Sequence, residues 1–298
     1  MRILFVTSSR IGDAVLSTGL LDHLLRSHPE ARFTVATGPV AEGVFLRMPR
    51  LDRLILMEKR RHGRHWLGLW AACAGTRWDL VVDIRASALA WLLPARRRAV
   101  MRRRRGGHKT AQLAAVLGLD PPPMPVTWTA EADRARAAVL LPPGPPVLAL
   151  APTANWSGKV WPPERFAALA GALLAGPLAG ARVAVLAGPG AGERAMATPV
   201  LAALPEAIDL AGRLTLPEAA ACLARASLFV GNDSGLMHLA AAAGAPTLGL
   251  FGPTPAAEYG PAGRCTAVAV ARGPRMEDLD VSDALAVAGG LIALDRAA

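Results

Sequence analysis

Short β-branched or leucine-rich runs alternate with alanine- and leucine-rich helical patterns along the whole chain, and this alternation constrains the fold most. Strands that take turns with helices build parallel sheets with helices on both faces. In the first half, strands are expected near 2–7, 32–37, 53–57, 79–84 and 97–101. Helices are expected there near 14–27, 40–47, 66–75, 86–93 and 109–117. In the second half, strands are expected near 147–151, 182–187, 207–210, 227–231, 246–251 and 266–270, with helices near 163–175, 191–204, 215–225 and 234–243. Two proline runs break the pattern, Pro121-Pro122-Pro123-Met124-Pro125 and Pro142-Pro143-Gly144-Pro145-Pro146, because proline continues neither a helix nor a central strand. The domain boundary is therefore sought within 120–146, with domains at 1–130 and 131–298. The helical pattern at 130–141 leads the second domain. A terminal helix from Met276, interrupted at Gly289-Gly290, is left free to pack back on the first domain. The expected fold class is α/β, two Rossmann-like domains facing across a cleft. Ligands of such folds bind beyond the carboxyl ends of the strands.

At 298 residues the chain can fill two cores of ordinary size. Aromatics are only 5%, so close packing falls to alanine and leucine. No apolar run approaches the roughly 18 residues that cross a bilayer. The first apolar stretch reads as a strand and lacks a signal-peptide cleavage site. Cys73, Cys222 and Cys265 lie far apart and odd in number, which fits neither a disulfide framework nor a metal spacing and points to a reducing compartment. The charge is lopsided. Residues 1–140 hold 23 basic and 11 acidic residues, and residues 141–298 hold 10 and 12. An acidic partner for the first half follows: nucleic acid, an anionic membrane surface, or a phosphorylated or acidic glycan.

Two strand–turn–helix segments carry the chemistry. In Val230-Gly231-Asn232-Asp233-Ser234-Gly235-Leu236-Met237-His238, an apolar strand runs through a polar turn into a helix. A helix start presents free backbone N–H groups and a positive dipole end, which suits phosphate. Asp233 and Ser234 read equally as caps. However, Gly235 in the first turn costs helix stability and makes sense where a ligand approaches the backbone. At the N-terminus, Thr7-Ser8-Ser9-Arg10-Ile11-Gly12-Asp13 has the same design. Asp13 is either a helix cap or a general base that takes a proton from an attacking hydroxyl.

Three further segments follow strands or lie beside them. Thr153 through Trp161-Pro162 is a polar loop with one lysine. Lys159 there is either a surface residue or a contact to a phosphate leaving group. In Gly188-Pro189-Gly190-Ala191-Gly192-Glu193, the glycines lack dinucleotide-fingerprint spacing, and Glu193 either bonds a ribose hydroxyl or sits in a helix first turn. Seven arginines fall within 96–105, followed by Lys109. No aromatic accompanies them from Ala95 to Leu119, which disfavours nucleic acid. Trp91, Leu92 and Leu93 beside them could instead dip into a membrane interface.

Taken together, Ser8-Ser9-Arg10-Ile11-Gly12-Asp13, the Thr153–Lys159 loop with Trp161-Pro162, and Asn232-Asp233-Ser234-Gly235 with His238, Gly244-Ala245-Pro246 and Phe251-Gly252-Pro253-Thr254 resemble glycosyltransferase family nine, the heptosyltransferases of lipopolysaccharide core synthesis. The resemblance covers nearly the full length. It implies the GT-B fold, inversion at the anomeric centre, and no metal or other cofactor. By the same likeness Asp13 is the catalytic base and Lys159 meets the donor phosphates. Thr153, Glu193, Asp233, Ser234, Gly235 and His238 form the donor site, and Ser9, Arg10, Gly12, Arg102, Arg103 and Lys109 lie on the acceptor side. The implied donor is ADP-heptose, and the implied acceptor is an anionic lipopolysaccharide core glycan. The enzyme would be cytoplasmic, in peripheral contact with the inner membrane, and no nucleic acid is expected. Many relatives carry a base where this chain has Thr7. The competing readings are a same-fold transferase with another nucleotide-sugar donor, a nucleotide-sugar epimerase that needs no acceptor, and a basic nucleic-acid-binding protein.

Overall fold

In the first strand, β1 (Arg2–Val6), the last four residues are buried, as a strand covered by helices on both faces requires. A computed structural model describes residues 1–59, 61–102 and 106–297. The chain divides into two compact units, Met1–Trp128 and Thr129–Ala298. In the first unit β1 is followed by α1 (Ile11–Ser27), β2 (Arg32–Thr37), α2 (Glu42–Phe45), β3 (Leu51–Leu56), α3 (Arg64–Ala74), β4 (Trp78–Asp83), α4 (Leu89–Leu92), β5 (Ala95–Val100) and α5 (Lys109–Ala114). All five strands run parallel, in the order β3-β2-β1-β4-β5. Chain order reverses between β1 and β4, so the turns leaving those strands flank the crevice where such sheets take ligands.

Two expectations change here, the start of the first helix and the surroundings of Leu93, while the strand expected near 97–101 is present as β5. The first helix begins at Ile11, three residues before the anticipated Ala14, which moves Asp13 from the turn into the helix's first turn. An acidic side chain is favourable there because it faces the positive end of the dipole. The first arginine cluster, Arg96 to Arg98, lies inside β5, which is an edge strand. Charged side chains on an edge discourage pairing with another chain. Arg98 also clamps the preceding turn, donating to the carbonyls of Ala90 at 2.7 Å and Leu93 at 2.7 Å. Leu93 belongs to the core beside Trp78, Leu89 and Cys73, while Trp91 and Leu92 remain exposed.

The second unit contains α6 (Glu131–Leu140), β6 (Val147–Ala151), α7 (Pro163–Leu174), β7 (Arg182–Val185), α8 (Ala191–Ala203), β8 (Ile208–Asp209), α9 (Leu216–Leu223), β9 (Leu228–Asn232), α10 (Gly235–Ala242), β10 (Thr247–Phe251), α11 (Ala256–Tyr259), β11 (Thr266–Val270) and α12 (Val281–Ala297). Its strands are parallel in the order β11-β10-β9-β6-β7-β8, with the reversal between β6 and β9. Trp161, fully buried, meets Phe166 edge-to-face at 5.2 Å in this core. Helix α12 passes through Gly289-Gly290 without interruption. It buries Ala284, Ala288, Leu291 and Ile292 in the second unit's own core, against β10, β11 and α7. That apolar packing outweighs the helix penalty of about 1 kcal/mol per glycine.

Candidate functional site

Three loops of the second unit converge at the reversal point of its sheet. Asn232, the last residue of β9, is fully buried, and its Oδ1 accepts the Trp161 N–H at 3.0 Å. Trp161 in turn donates its indole N–H to the Leu279 carbonyl at 2.9 Å. These bonds pin the far end of the loop that leaves β6. Within that loop Ser157–Lys159 forms a single 3₁₀ turn, and the Trp156 ring lies so close to Gly158 that a Cβ there would stand 2.6 Å from it. The turn aims Lys159 Nζ at Asp233 Oδ2, 2.6 Å away. Thr254, beyond the end of β10, donates its hydroxyl to the same oxygen at 2.9 Å. Residues 74 and 21 positions from Asp233 therefore meet on one carboxylate atom. Both ends of the ion pair are shielded, with 19% of the lysine side chain and 8% of the aspartate exposed. A charge-assisted bond in such surroundings is strong.

Immediately after Asp233, helix α10 starts at Gly235. Ser234 stands at the N-cap with extended backbone, but its side chain makes no capping bond. The first-turn N–H groups are thus not satisfied by the usual hydroxyl. Ser234 Oγ and Asn232 Nδ2 are buried polar atoms without a hydrogen-bond partner among the described residues. Buried orphan groups in a native protein call for an explanation, and a polar ligand lodged at this helix start supplies one. His238 lies one turn along, buried, with its backbone N–H directed to the Ser234 carbonyl at 3.4 Å.

Thr153 is almost fully buried just past β6. Glu193 occupies the first turn of α8, after β7, the strand that neighbours β6 on its other side. Its carboxylate folds back over Gly188, where an added Cβ would lie 2.1 Å from Oε2, so the glycine turn makes room for this acid. The Lys159–Asp233–Thr254 contact does not include Glu193.

In the first unit the turn after β1 holds Ser9, Arg10, Gly12 and Asp13. Ser8 Oγ donates to Asp13 Oδ2 at 3.3 Å and accepts the Arg10 N–H at 3.3 Å. The turn is braced from β2: Thr37 Oγ1 donates to the Ser8 carbonyl at 2.7 Å, and a Cβ on Gly38 would stand 2.3 Å from that of Ser9. Thr7 is buried and pairs with Ser17 at 2.9 Å. Asp13 is half-buried, whereas Ser9 and Arg10 are exposed. Arg102 is exposed just past β5, Lys109 opens α5, and Arg103 lies outside the described residues. Strand β4 separates β5 from β1, so Arg102 leaves the sheet about 10 Å from the turn after β1.

Sequence reasoning did not single out Thr254 or Asn232 as site residues. Thr254 carried a usable signal, since Phe251-Gly252-Pro253-Thr254 follows an apolar strand as the other site loops do. Nothing in the sequence said that β10 would lie next to β9. Among the described residues no three His, Cys, Asp or Glu side chains converge as a metal-ligand set.

Known proteins resemble this chain in sequence and in fold. Lipooligosaccharide heptosyltransferase 2 of Haemophilus influenzae is 34% identical over 115 residues, which cover 37% of this chain and 32% of that protein. The match thus spans about a third of that relative's length. The glycosyltransferase family 9 structure from Veillonella parvula superposes with a TM-score of 0.84 at 22% identity, over 98% of this chain and 97% of that one. The Escherichia coli ADP-heptose lipopolysaccharide heptosyltransferase II structure gives 0.78 at 22% identity, over 99% and 100%. The fold is accordingly GT-B. Residues 74–286, well over half of the chain and including every second-unit site loop described above, match glycosyltransferase family 9 (heptosyltransferase), and the chain belongs to that family.

Proposed function

We propose that this protein is an inverting, metal-independent glycosyltransferase that moves heptose from ADP-heptose to an anionic lipopolysaccharide core glycan. The observation that carries the reading is the meeting of Lys159, Asp233 and Thr254 beside the uncapped start of α10. Backbone N–H groups, a dipole end and one lysine together suit a diphosphate. Family membership narrows the diphosphate to a sugar donor, and the E. coli heptosyltransferase with the same fold supports ADP-heptose.

In this mechanism the donor diphosphate lies against the first turn of α10, with Ser234 Oγ and Asn232 Nδ2 available to bond it. Lys159 turns from Asp233 toward the phosphate, and Thr254 keeps the aspartate bonded as it does so. Thr153, Glu193 and His238 complete the donor site, with Glu193 on a ribose hydroxyl. Asp13 takes the proton of the acceptor hydroxyl. The freed oxygen attacks the anomeric carbon from the face opposite the diphosphate. The bond from that carbon to the phosphate oxygen breaks, and ADP leaves with the electron pair. Lys159 and the helix start stabilise the charge that develops on ADP. The acceptor's own acidic groups match the basic first half of the chain, with Ser9, Arg10, Gly12, Arg102, Arg103 and Lys109 on its side. The working location is the cytoplasmic face of the inner membrane.

ADP release from ADP-heptose by the purified protein in EDTA, with and without deacylated core acceptor, tests the reading. Release that depends on acceptor is expected, and Asp13→Ala is expected to lower it by at least about a hundredfold while donor binding survives. Full turnover in Asp13→Ala removes the base assignment. Absence of release by folded protein, with retained ADP binding, means a different sugar or acceptor.

A further inference from the structure

Three arginines gather near the amino ends of neighbouring strands in the first sheet. Arg2 opens β1 and Arg32 opens β2, and the parallel register sets them opposite each other on strands about 4.8 Å apart. Like charges so placed repel. Arg53 joins them from β3, on the other side of β2. There Phe33 pairs with Leu51 and Thr34 with Arg53, which leaves Asp52 as the extra residue of a bulge. A bulge re-aims the side chains around it, and Asp52 and Arg53 both border one cavity with Arg2 and Arg32.

The cavity has a volume of about 240 Å³, and Thr34 and Thr76 also line it. Thr34 is only 3% exposed, yet its hydroxyl has no hydrogen-bond partner among the described residues. The guanidinium groups of Arg2 and Arg32 have none there either, and Arg53 reaches the Ala72 carbonyl at 3.3 Å. Asp52 is the one carboxylate on the lining, and it forms no ion pair with these arginines. Asp79 nearby is engaged elsewhere: it accepts the Arg2 backbone N–H at 2.8 Å and faces Arg96 at 3.6 Å. A single arginine at a strand end needs no partner beyond water. Three around a buried, unbonded hydroxyl, with one carboxylate against them, make a positive concavity that an anion would neutralise.

We infer that Arg2, Arg32, Arg53 and the Thr34 hydroxyl bind the phosphate group of a small soluble phosphomonoester. Guanidinium forks meet phosphate oxygens in pairs, and the threonine hydroxyl donates to a further oxygen. The cavity is larger than a bare phosphate ion, which leaves room for the group that carries it. The bound anion would tie β1, β2 and β3 together at their amino ends. This site lies apart from the transferase chemistry. The Ser8–Asp13 turn leaves the Val6 end of β1, about 13 Å along the strand from Arg2, and no donor-site or acceptor-side residue lines the cavity.

The test is calorimetric titration of the full chain with inorganic phosphate, and separately with glucose 6-phosphate, both in saturating ADP so that the nucleotide site is filled. Saturable binding of one phosphate per chain is expected, at about 1 mM or tighter, with a melting temperature that rises with phosphate concentration. Arg32→Gln should weaken it by about tenfold or more and, without phosphate, should melt no lower than the native chain because a repulsion is gone. Arg53→Gln provides a second variant with the same expected loss. ADP binding and turnover stay unchanged in both. Arg64→Gln, at an exposed position at the start of α3, reports the general loss of one positive charge and should leave phosphate binding intact. Tighter binding of glucose 6-phosphate than of phosphate supports the inference in full, since the carrier then also occupies the cavity. Failure of both probes to bind overturns it, as does native affinity in the folded Arg32→Gln and Arg53→Gln variants, or an equal loss in Arg64→Gln. Absence of ADP binding by the native chain would count against the donor site alone, and the arginine variants would still decide the phosphate site.

Discussion

At the scale of single residues, the site is built around one carboxylate oxygen. Asp233 Oδ2 accepts both from Lys159 and from Thr254. Removing the lysine leaves a shielded carboxylate with one neutral donor, and it also removes the positive charge assigned to the leaving diphosphate. Lys159→Ala is therefore expected to lower turnover about a hundredfold and to weaken ADP binding by calorimetry. Unchanged ADP affinity would contradict the phosphate role. Thr254→Val keeps the volume and deletes the hydroxyl, at a cost of about 1.5–3 kcal/mol for a bond to a charged group. A fall in melting temperature together with a modest loss of ADP affinity is expected. If neither moves, Thr254 is a bystander. Of this cluster, Lys159 and Asp233 were legible in the sequence because each sits in a polar turn after an apolar strand. Thr254 was not legible as their partner, since strand adjacency is a property of the sheet.

At the scale of elements, glycines and ion pairs hold the turns in place. Gly38, just past β2, presses on Ser9, and an added methyl group would collide with it. Overpacking of this kind costs about 1–3 kcal/mol and would push the Ser8–Asp13 turn away from its brace. Gly38→Ala is expected to lower both melting temperature and turnover while ADP binding, a second-unit property, holds. An equal loss of ADP binding would show general misfolding instead. In the second unit, Asp209 at the end of β8 receives two 2.8 Å bonds from Arg194 of α8. Those bonds hold its carboxyl below the ordinary carboxylate range. The folded pKa is depressed, so the stability it contributes is present above about pH 4, the unfolded value. That stability is lost as pH falls further. Asp209→Asn should flatten the acid limb of a melting-temperature profile below about pH 4. The effect should be small, because solvent and salt screen the pair. An unaltered acid limb would deny the linkage.

At the scale of the whole molecule, alternating strand and helix patterns foretold two parallel α/β sheets, and the folded chain has them. The cysteines behave as core residues. Burial pushes the Cys73 and Cys222 thiols up to about 11, while Cys265 is only half-buried. Native protein near pH 8 should therefore label rapidly at no more than one thiol, and at three in denaturant. Rapid labelling of two or more in the native state would show that a core opens. Sequence by itself determined the element types and most of their positions, because apolar periodicity and proline breaks are local signals. It also placed the polar turns that follow β1, β6 and β9, because turn chemistry is local as well. Tertiary structure alone decided that the loops after β6, β9 and β10 share a carboxylate, and that the strand expected over the first arginine cluster lies at a sheet edge with Arg98 bonded to backbone carbonyls. It alone also decided that α12 runs unbroken through two glycines. In each case the deciding contact joins segments distant in sequence, or packs an element against neighbours that local propensity does not register.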